Sequence, residues 1–166
     1  MRLQSDLLIA QPPARSSPDS DGMPDAKICF SVRFRGTPTE VRRVLRVIRC
    51  EVNASGADAD MLGRIETLLA EVLNNVVEHA LCDKGDQLVE VGGEQHIDGW
   101  HFRVSDCGRG LPQGELPGKE FPTLDRDTQD LPEGGFGWAM VHLLTRDLVY
   151  RRMSGRNCLS FVIPLE

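Results

Sequence analysis

No apolar run in this chain of 166 residues approaches the roughly 18 residues that a membrane-spanning helix requires. The apolar patch at Leu7–Ala10 is too short for the core of a secretory leader. No membrane association is therefore expected. Basic residues are in deficit, 19 Lys and Arg against 25 Asp and Glu, for a net charge of −6. That balance excludes broad binding along a nucleic-acid backbone, which needs clustered cations. No Cys-x-x-Cys pair occurs, and the five cysteines (29, 50, 82, 107 and 158) are odd in number and scattered. Neither a disulfide framework nor a zinc site follows from such spacing, and a reduced, cytoplasmic protein is expected. A Gly-x-x-x-x-Gly-Lys-[Ser/Thr] loop is also missing, which excludes a P-loop.

What is present fits one domain of ordinary size with a two-layer core. Residues 1–26 hold Pro12, Pro13, Pro18 and Pro24 among Ser, Asp and Gly. Such a stretch buries too little apolar surface to offset its ordering entropy, so it reads as a disordered tail or as a segment that folds on a partner. Residues 27–166 form the domain. Ile28, Phe30, Val32 and Phe34 alternate as in a half-buried strand. Thr37-Pro38-Thr39-Glu40 is a capping box with proline at the first helical position. The helix it opens carries Val41, Val44, Leu45, Ile48 and Val52 on one side and Arg42, Arg43, Arg46 and Arg49 on the other. That basic side reads either as solvated or as a surface for an acidic protein. Leu88 to Val91 begins a strand that Gly92-Gly93 punctuates, and Asp98-Gly99 is a hairpin turn. Trp100, Phe102 and Val104 alternate into Asp106 at a strand's end, and Leu159, Phe161 and Ile163 mark a last strand. The order predicts an α+β two-layer sandwich with helices on one face of a mixed, mostly antiparallel sheet.

Three stretches carry chemistry. The first is the helical series Leu62, Ile65, Leu68, Leu69, Val72, Leu73, Val76, Val77, Ala80 and Leu81, about five turns with one buried face. Glu71, Asn75 and His79 form a polar stripe along it at four-residue spacing. A carboxylate one turn before a carboxamide can hold a hydroxyl and a hard cation side by side, although a solvated face has the same spacing. The second is Asp106-Cys-Gly108-Arg-Gly110. It places an acceptor for an exocyclic amine before two positions without a Cβ, where a flat ring can approach the backbone; an ordinary turn is the alternative. The third is Gly134-Gly135-Phe136-Gly137 ahead of a helix, whose amides can cluster around phosphate oxygens or merely cap the helix. Between the last two lies a segment rich in proline and glycine, about 111–133. Its length without periodicity predicts a functional loop.

In this order, the three stretches resemble the N, G1 and G2 boxes of the GHKL (Bergerat-fold) ATPases, over roughly Cys29 to the C-terminus. With no histidine-kinase dimerisation helices in view, the chain looks most like the anti-sigma-factor serine/threonine kinases of bacterial partner-switching systems. The resemblance implies ATP and Mg²⁺ as ligands. It implies Glu71 as general base, Asn75 as the magnesium ligand, and Asp106 as the acceptor of the adenine amine, with Gly108 and Gly110 beside it. Gly135, Phe136 and Gly137 would border the phosphates, and the 111–133 segment would be the ATP lid. His79 recurs at this position among such kinases and is also explained as a helix-end histidine. Gly155-Arg156-Asn157 departs from the Gly-x-Thr turn of many relatives, and Cys107 inside the adenine motif is expected to be buried and inert.

The implied function is that of an anti-sigma factor that phosphorylates a serine of an anti-anti-sigma (STAS-domain) protein. The implied partners are that protein, a sigma factor and a second copy of the chain, with no nucleic acid. The alternative is a nucleotide-dependent binding module without phosphotransfer, or a detached ATPase domain of the histidine-kinase type.

Overall fold

The computed structural model describes residues 8–10, 29–82, 86–118 and 136–165. Two helices fold back on each other first. α1 (Pro38–Ala54) starts where Thr37 Oγ1 accepts from the amide of Glu40 at 3.3 Å, as the capping box predicts. α2 (Ala59–Asn75) is capped by Asp58, whose Oδ1 accepts from the Met61 amide at 2.8 Å. The basic side of α1 is partly neutralised, Arg43 by Glu40 and Arg49 by Glu66.

The sheet runs in the order β1-β2-β3-β4-β6-β5, formed by Leu8–Ala10, Cys29–Arg35, Leu88–His96, Gly99–Asp106, Arg156–Pro164 and Arg146–Met153. Every pairing among the described residues is antiparallel, so the sheet goes one step beyond the mostly antiparallel expectation. Its inner face presents Val32, Phe34, Val91, Phe102, Val104, Leu159 and Phe161 to α1, α2 and α3 (Phe136–Leu144). This is the expected sandwich, with one core between one sheet and helices on one side of it.

Three local features differ from the sequence reading. Leu8–Ala10, inside the stretch expected to be disordered, pair with β2 at Leu8↔Arg33 through Ala10↔Ser31. They include most of the one apolar patch in that stretch, and they cover the edge of β2. The remainder of residues 1–26 lies outside the described residues. The second difference is in the long helix, which does not stay α to its end. Val76–Ala80 form a π turn, in which the Leu81 amide reaches back to the Val76 carbonyl at 2.9 Å. The third is β3, which continues through Gly92-Gly93 to His96 instead of stopping there. A Cβ at 93 would stand 2.4 Å from the Phe30 ring and 3.1 Å from that of Phe102, so glycine admits two core aromatics across the strand. At 92 a Cβ would meet only the Phe30 carbonyl oxygen, at 3.7 Å.

Gly93→Ala should therefore destabilise the fold by about 1–3 kcal/mol through overpacking, whereas Gly92→Ala should leave the melting temperature unchanged or raise it. Thermal denaturation of the two variants checks this contrast.

Candidate functional site

A cavity of about 440 Å³ opens between the C-terminal end of α2, its π turn, and the strand ends of β4, β5 and β6. One wall is apolar, built from Val72, Val76, Ala80, Val104 and Leu159, and suits a flat aromatic ring. Asp106 closes the far end. It is the last residue of β4 and is buried at 5% exposure, opposite Asn157 of β6 in the strand register. Its Oδ1 accepts from the Gly108 amide and from Asn157 Nδ2, each at 2.8 Å. Both described bonds fall on Oδ1, which leaves Oδ2 as the carboxylate oxygen available to a ligand's amine.

Burial drives the pKa of Asp106 above the ordinary carboxylate value of 3.8, against the opposing hydrogen bonds from Asn157 and the Gly108 amide. A carboxyl group raised in this way carries no penalty when both folded and unfolded forms are protonated. Its cost to stability sets in as pH rises past 3.8 and is complete above the raised folded value.

Asn157 holds the whole corner. Its Nδ2 also donates to the Arg109 carbonyl at 2.8 Å, while its Oδ1 accepts from the Tyr150 hydroxyl at 2.7 Å and from Arg152. Arg152 donates to the Gly108 carbonyl at 2.9 Å, and the Tyr150 hydroxyl accepts from the Leu111 amide at 3.1 Å. The network thus joins the carboxylate to the first residue of the expected lid. Sequence reading treated Asn157 only as part of a turn and passed over Tyr150 and Arg152. A signal was available: Asn157 has the inward parity of Leu159, Phe161 and Ile163, so a polar group had to be buried there and needed partners.

Gly108 packs against the end of the helix. A Cβ there would lie 2.4 Å from the Ala80 carbonyl oxygen, and the neighbouring Arg109 amide donates to that oxygen at 2.8 Å. That bond locks the loop onto the π turn. Gly110 does line the cavity, beside Arg152 and Tyr150. Cys107, expected to be buried, is exposed.

Asn75 and His79 both line the cavity from the helix side. Asn75 Nδ2 donates to the Glu71 carbonyl at 2.7 Å; a carbonyl can only accept, which fixes the amide orientation and turns Oδ1 outward as a free acceptor. Glu71 lies one turn earlier, against the first turn of α3, where a Cβ on Gly137 would stand 2.2 Å from Glu71 Oε2. The fold therefore sets Glu71 against Gly137, one helical turn from Asn75, which lines the cavity whose other end is Asp106. Gly135 lies outside the described residues, and the side chain of Phe136 is not described. Of the 111–133 segment, Leu111, Pro112 and Pro117 line the cavity facing Trp138. Pro117 is tied to α3 by His142, whose Nε2 donates to its carbonyl at 2.8 Å.

The site suits an adenine nucleotide. A buried acceptor with a free oxygen lies at one end, an apolar wall in the middle, and a free carboxamide oxygen beside a helix N-terminus at the other. Among the described residues no cluster of three or more His, Cys, Asp or Glu could hold a metal by itself.

Comparison with known proteins agrees with this geometry. A family model described as histidine kinase-like ATPase domain matches residues 34–163. No curated protein matches the chain. The crystal structure of the RsbU and RsbW domains of Rv1364c from Mycobacterium tuberculosis superposes with a TM-score of 0.57 at 18% identity, over 84% of this chain. The chain spans 33% of the length of that one.

Asp106→Asn keeps an oxygen for Gly108 and Asn157 while removing the buried charge. It should abolish binding of adenine nucleotides yet hold or raise the melting temperature at pH 7, by up to about 3 °C. It should also flatten the pH dependence of stability above 3.8. Titration calorimetry and melting curves across pH test the three outcomes together.

Proposed function

The chain belongs to the histidine kinase-like ATPase domain family, within the GHKL superfamily, and from that premise we propose that it is a protein serine/threonine kinase and anti-sigma factor. It would bind ATP, phosphorylate a serine of an anti-anti-sigma STAS-domain protein, and hold a sigma factor in the alternate state. The observation that carries the phosphotransfer reading is the placement of the Glu71 carboxylate beside Gly137, one helical turn from Asn75. A module that only bound nucleotide would have no use for a carboxylate at the phosphate end.

In this reading the adenine amine donates to Asp106 Oδ2, and the ring lies on Val72, Val76, Val104 and Leu159. Phosphate oxygens meet the amides at the start of α3, including Gly137 and, in the segment before it, Gly135 and Phe136. Asn75 Oδ1 would hold Mg²⁺, which when bound offsets the charge of the phosphates. Glu71 takes the proton of the incoming serine hydroxyl; its oxygen attacks the γ-phosphorus, and the bond to the bridging oxygen breaks to release ADP. The product phosphoserine places about two negative charges in the contact, which disfavours rebinding and gives the switch its direction. Pairing of two copies belongs to the same proposal.

Transfer of label from γ-³²P-ATP to STAS-domain proteins from the same genome tests the reading. Glu71→Ala should lower transfer about 10²–10⁴-fold with ATP affinity kept within a few-fold. Asn75→Ala should instead weaken the magnesium dependence of nucleotide binding. ATP binding without transfer to any candidate serine would mean a nucleotide-gated binding module. Label on histidine would mean an ATPase domain of the histidine-kinase type.

A further inference from the structure

Residues 111–117 run along the rim of the nucleotide cavity, and a side chain from a different element fastens each end. Leu111, Pro112 and Pro117 line the cavity. Pro112 is exposed as well, so the segment lies at the rim and not on the floor. At one end the Leu111 amide donates to the Tyr150 hydroxyl of β5 at 3.1 Å. At the other the Pro117 carbonyl accepts from His142 Nε2 of α3 at 2.8 Å. Between them Leu116 packs on the core, while 112–115 are exposed.

The segment has little else to hold it. Its internal bonds are those of one tight turn, from the Gly114 amide to the Leu111 carbonyl at 3.0 Å and from the Glu115 amide to the Pro112 carbonyl at 3.1 Å. It joins no strand pair among the described residues. Gln113 sits at a φ of 56°, a left-handed conformation that a non-glycine residue keeps only where its surroundings impose it. The two fastenings, by contrast, are rooted in fixed parts of the fold. The Tyr150 hydroxyl donates to Asn157 Oδ1 at 2.7 Å, and both hydrogens of the Asn157 amide are taken by Asp106 and the Arg109 carbonyl. Arg152 also donates to Asn157 Oδ1, so the amide keeps its orientation without Tyr150. The bond that Tyr150 alone makes is the one to Leu111.

We propose that Tyr150 and His142 are positioning residues that hold residues 111–117 along the cavity rim and thereby set how fast a bound nucleotide leaves. The proposal rests on the nucleotide reading of the cavity, though not on phosphotransfer. A nucleotide whose base reaches Asp106 lies against Leu111, Pro112 and Pro117, and its departure requires that rim to yield. The two side-chain bonds are what the rim gives up first. One ties it to the corner that holds Asp106, the other to the helix that starts beside Glu71.

The test measures release of a ribose-labelled fluorescent ADP from the full chain by stopped flow, with unlabelled ADP as chase and no acceptor protein. Tyr150→Phe removes the hydroxyl. Leu111→Pro removes the amide hydrogen at a φ of −59°, which the proline ring accepts. Each should speed release about five- to tenfold, and the double substitution should be no faster, because both remove the same bond. His142→Ala should act similarly, and His142→Gln, whose amide nitrogen can donate to the same carbonyl, should return the rate toward that of the parent. The proposal is overturned if Tyr150→Phe lowers the melting temperature yet leaves release unchanged. It is also overturned if Tyr150→Phe keeps its full effect in the Leu111→Pro background, or if His142→Gln releases ADP as fast as His142→Ala. A parent chain that binds no ADP at all sinks the nucleotide reading and this proposal together, whereas tight binding with one release rate in every variant sinks this proposal alone.

Discussion

The burial of one face of α2 fixes almost everything else in this molecule. Met61, Leu62, Ile65, Leu68, Leu69, Val72 and Leu73 are all inside the core, so the helix cannot rotate about its axis without exposing several of them. That constraint aims the opposite stripe. Glu71 is directed at the start of α3, and Asn75 and His79 at the cavity. The π turn that follows shifts the helical phase by one residue and presents the Ala80 carbonyl to Arg109, which anchors the loop after β4. Core packing thus serves as the positioning device for the polar groups, and no separate scaffold is needed.

The second dependency is electrostatic. Asp106 is an acid carried into a buried strand end, and it remains tolerable there because Asn157 and the Gly108 amide serve one of its oxygens. The same asparagine is saturated in turn by Tyr150, Arg152 and the Arg109 carbonyl. Such a closed circuit resists adjustment: truncating Asn157 leaves buried polar groups unpaired, typically at 1–3 kcal/mol. Because Tyr150 also accepts from Leu111, the Asp106 carboxylate and the root of the 111–133 segment share one set of hydrogen bonds.

Much of this was legible in the chain. The alternation of Phe30, Val32 and Phe34, the Thr37 cap and the 3.6-residue periodicity of α2 are local signals, and each appears in the fold where those signals put it. The spacing of Glu71 and Asn75 also survives, because residues 71–75 are still α-helical. What escaped is non-local. The role of Asn157 depends on β6 pairing with β4, and that of Gly108 on a helix end 28 residues upstream. Gly92 and Gly93 look alike in sequence, and only the sheet tells which one faces the core. The edge strand Leu8–Ala10 is too short for any periodicity to reveal it.

The chain holds two tryptophans, and the fold gives them opposite surroundings. Trp100 is fully buried among Phe30 and Phe102, and its Nε1–H finds no acceptor among the described residues. Trp138 stands at the cavity wall facing Pro117. The intrinsic emission of the protein is therefore a sum of two separable reporters. One is short in wavelength and sensitive only to loss of the core, while the other is polar and sensitive to whatever fills the cavity. Changes at the red edge of the spectrum follow occupancy, and changes at the blue edge follow folding, without any attached dye.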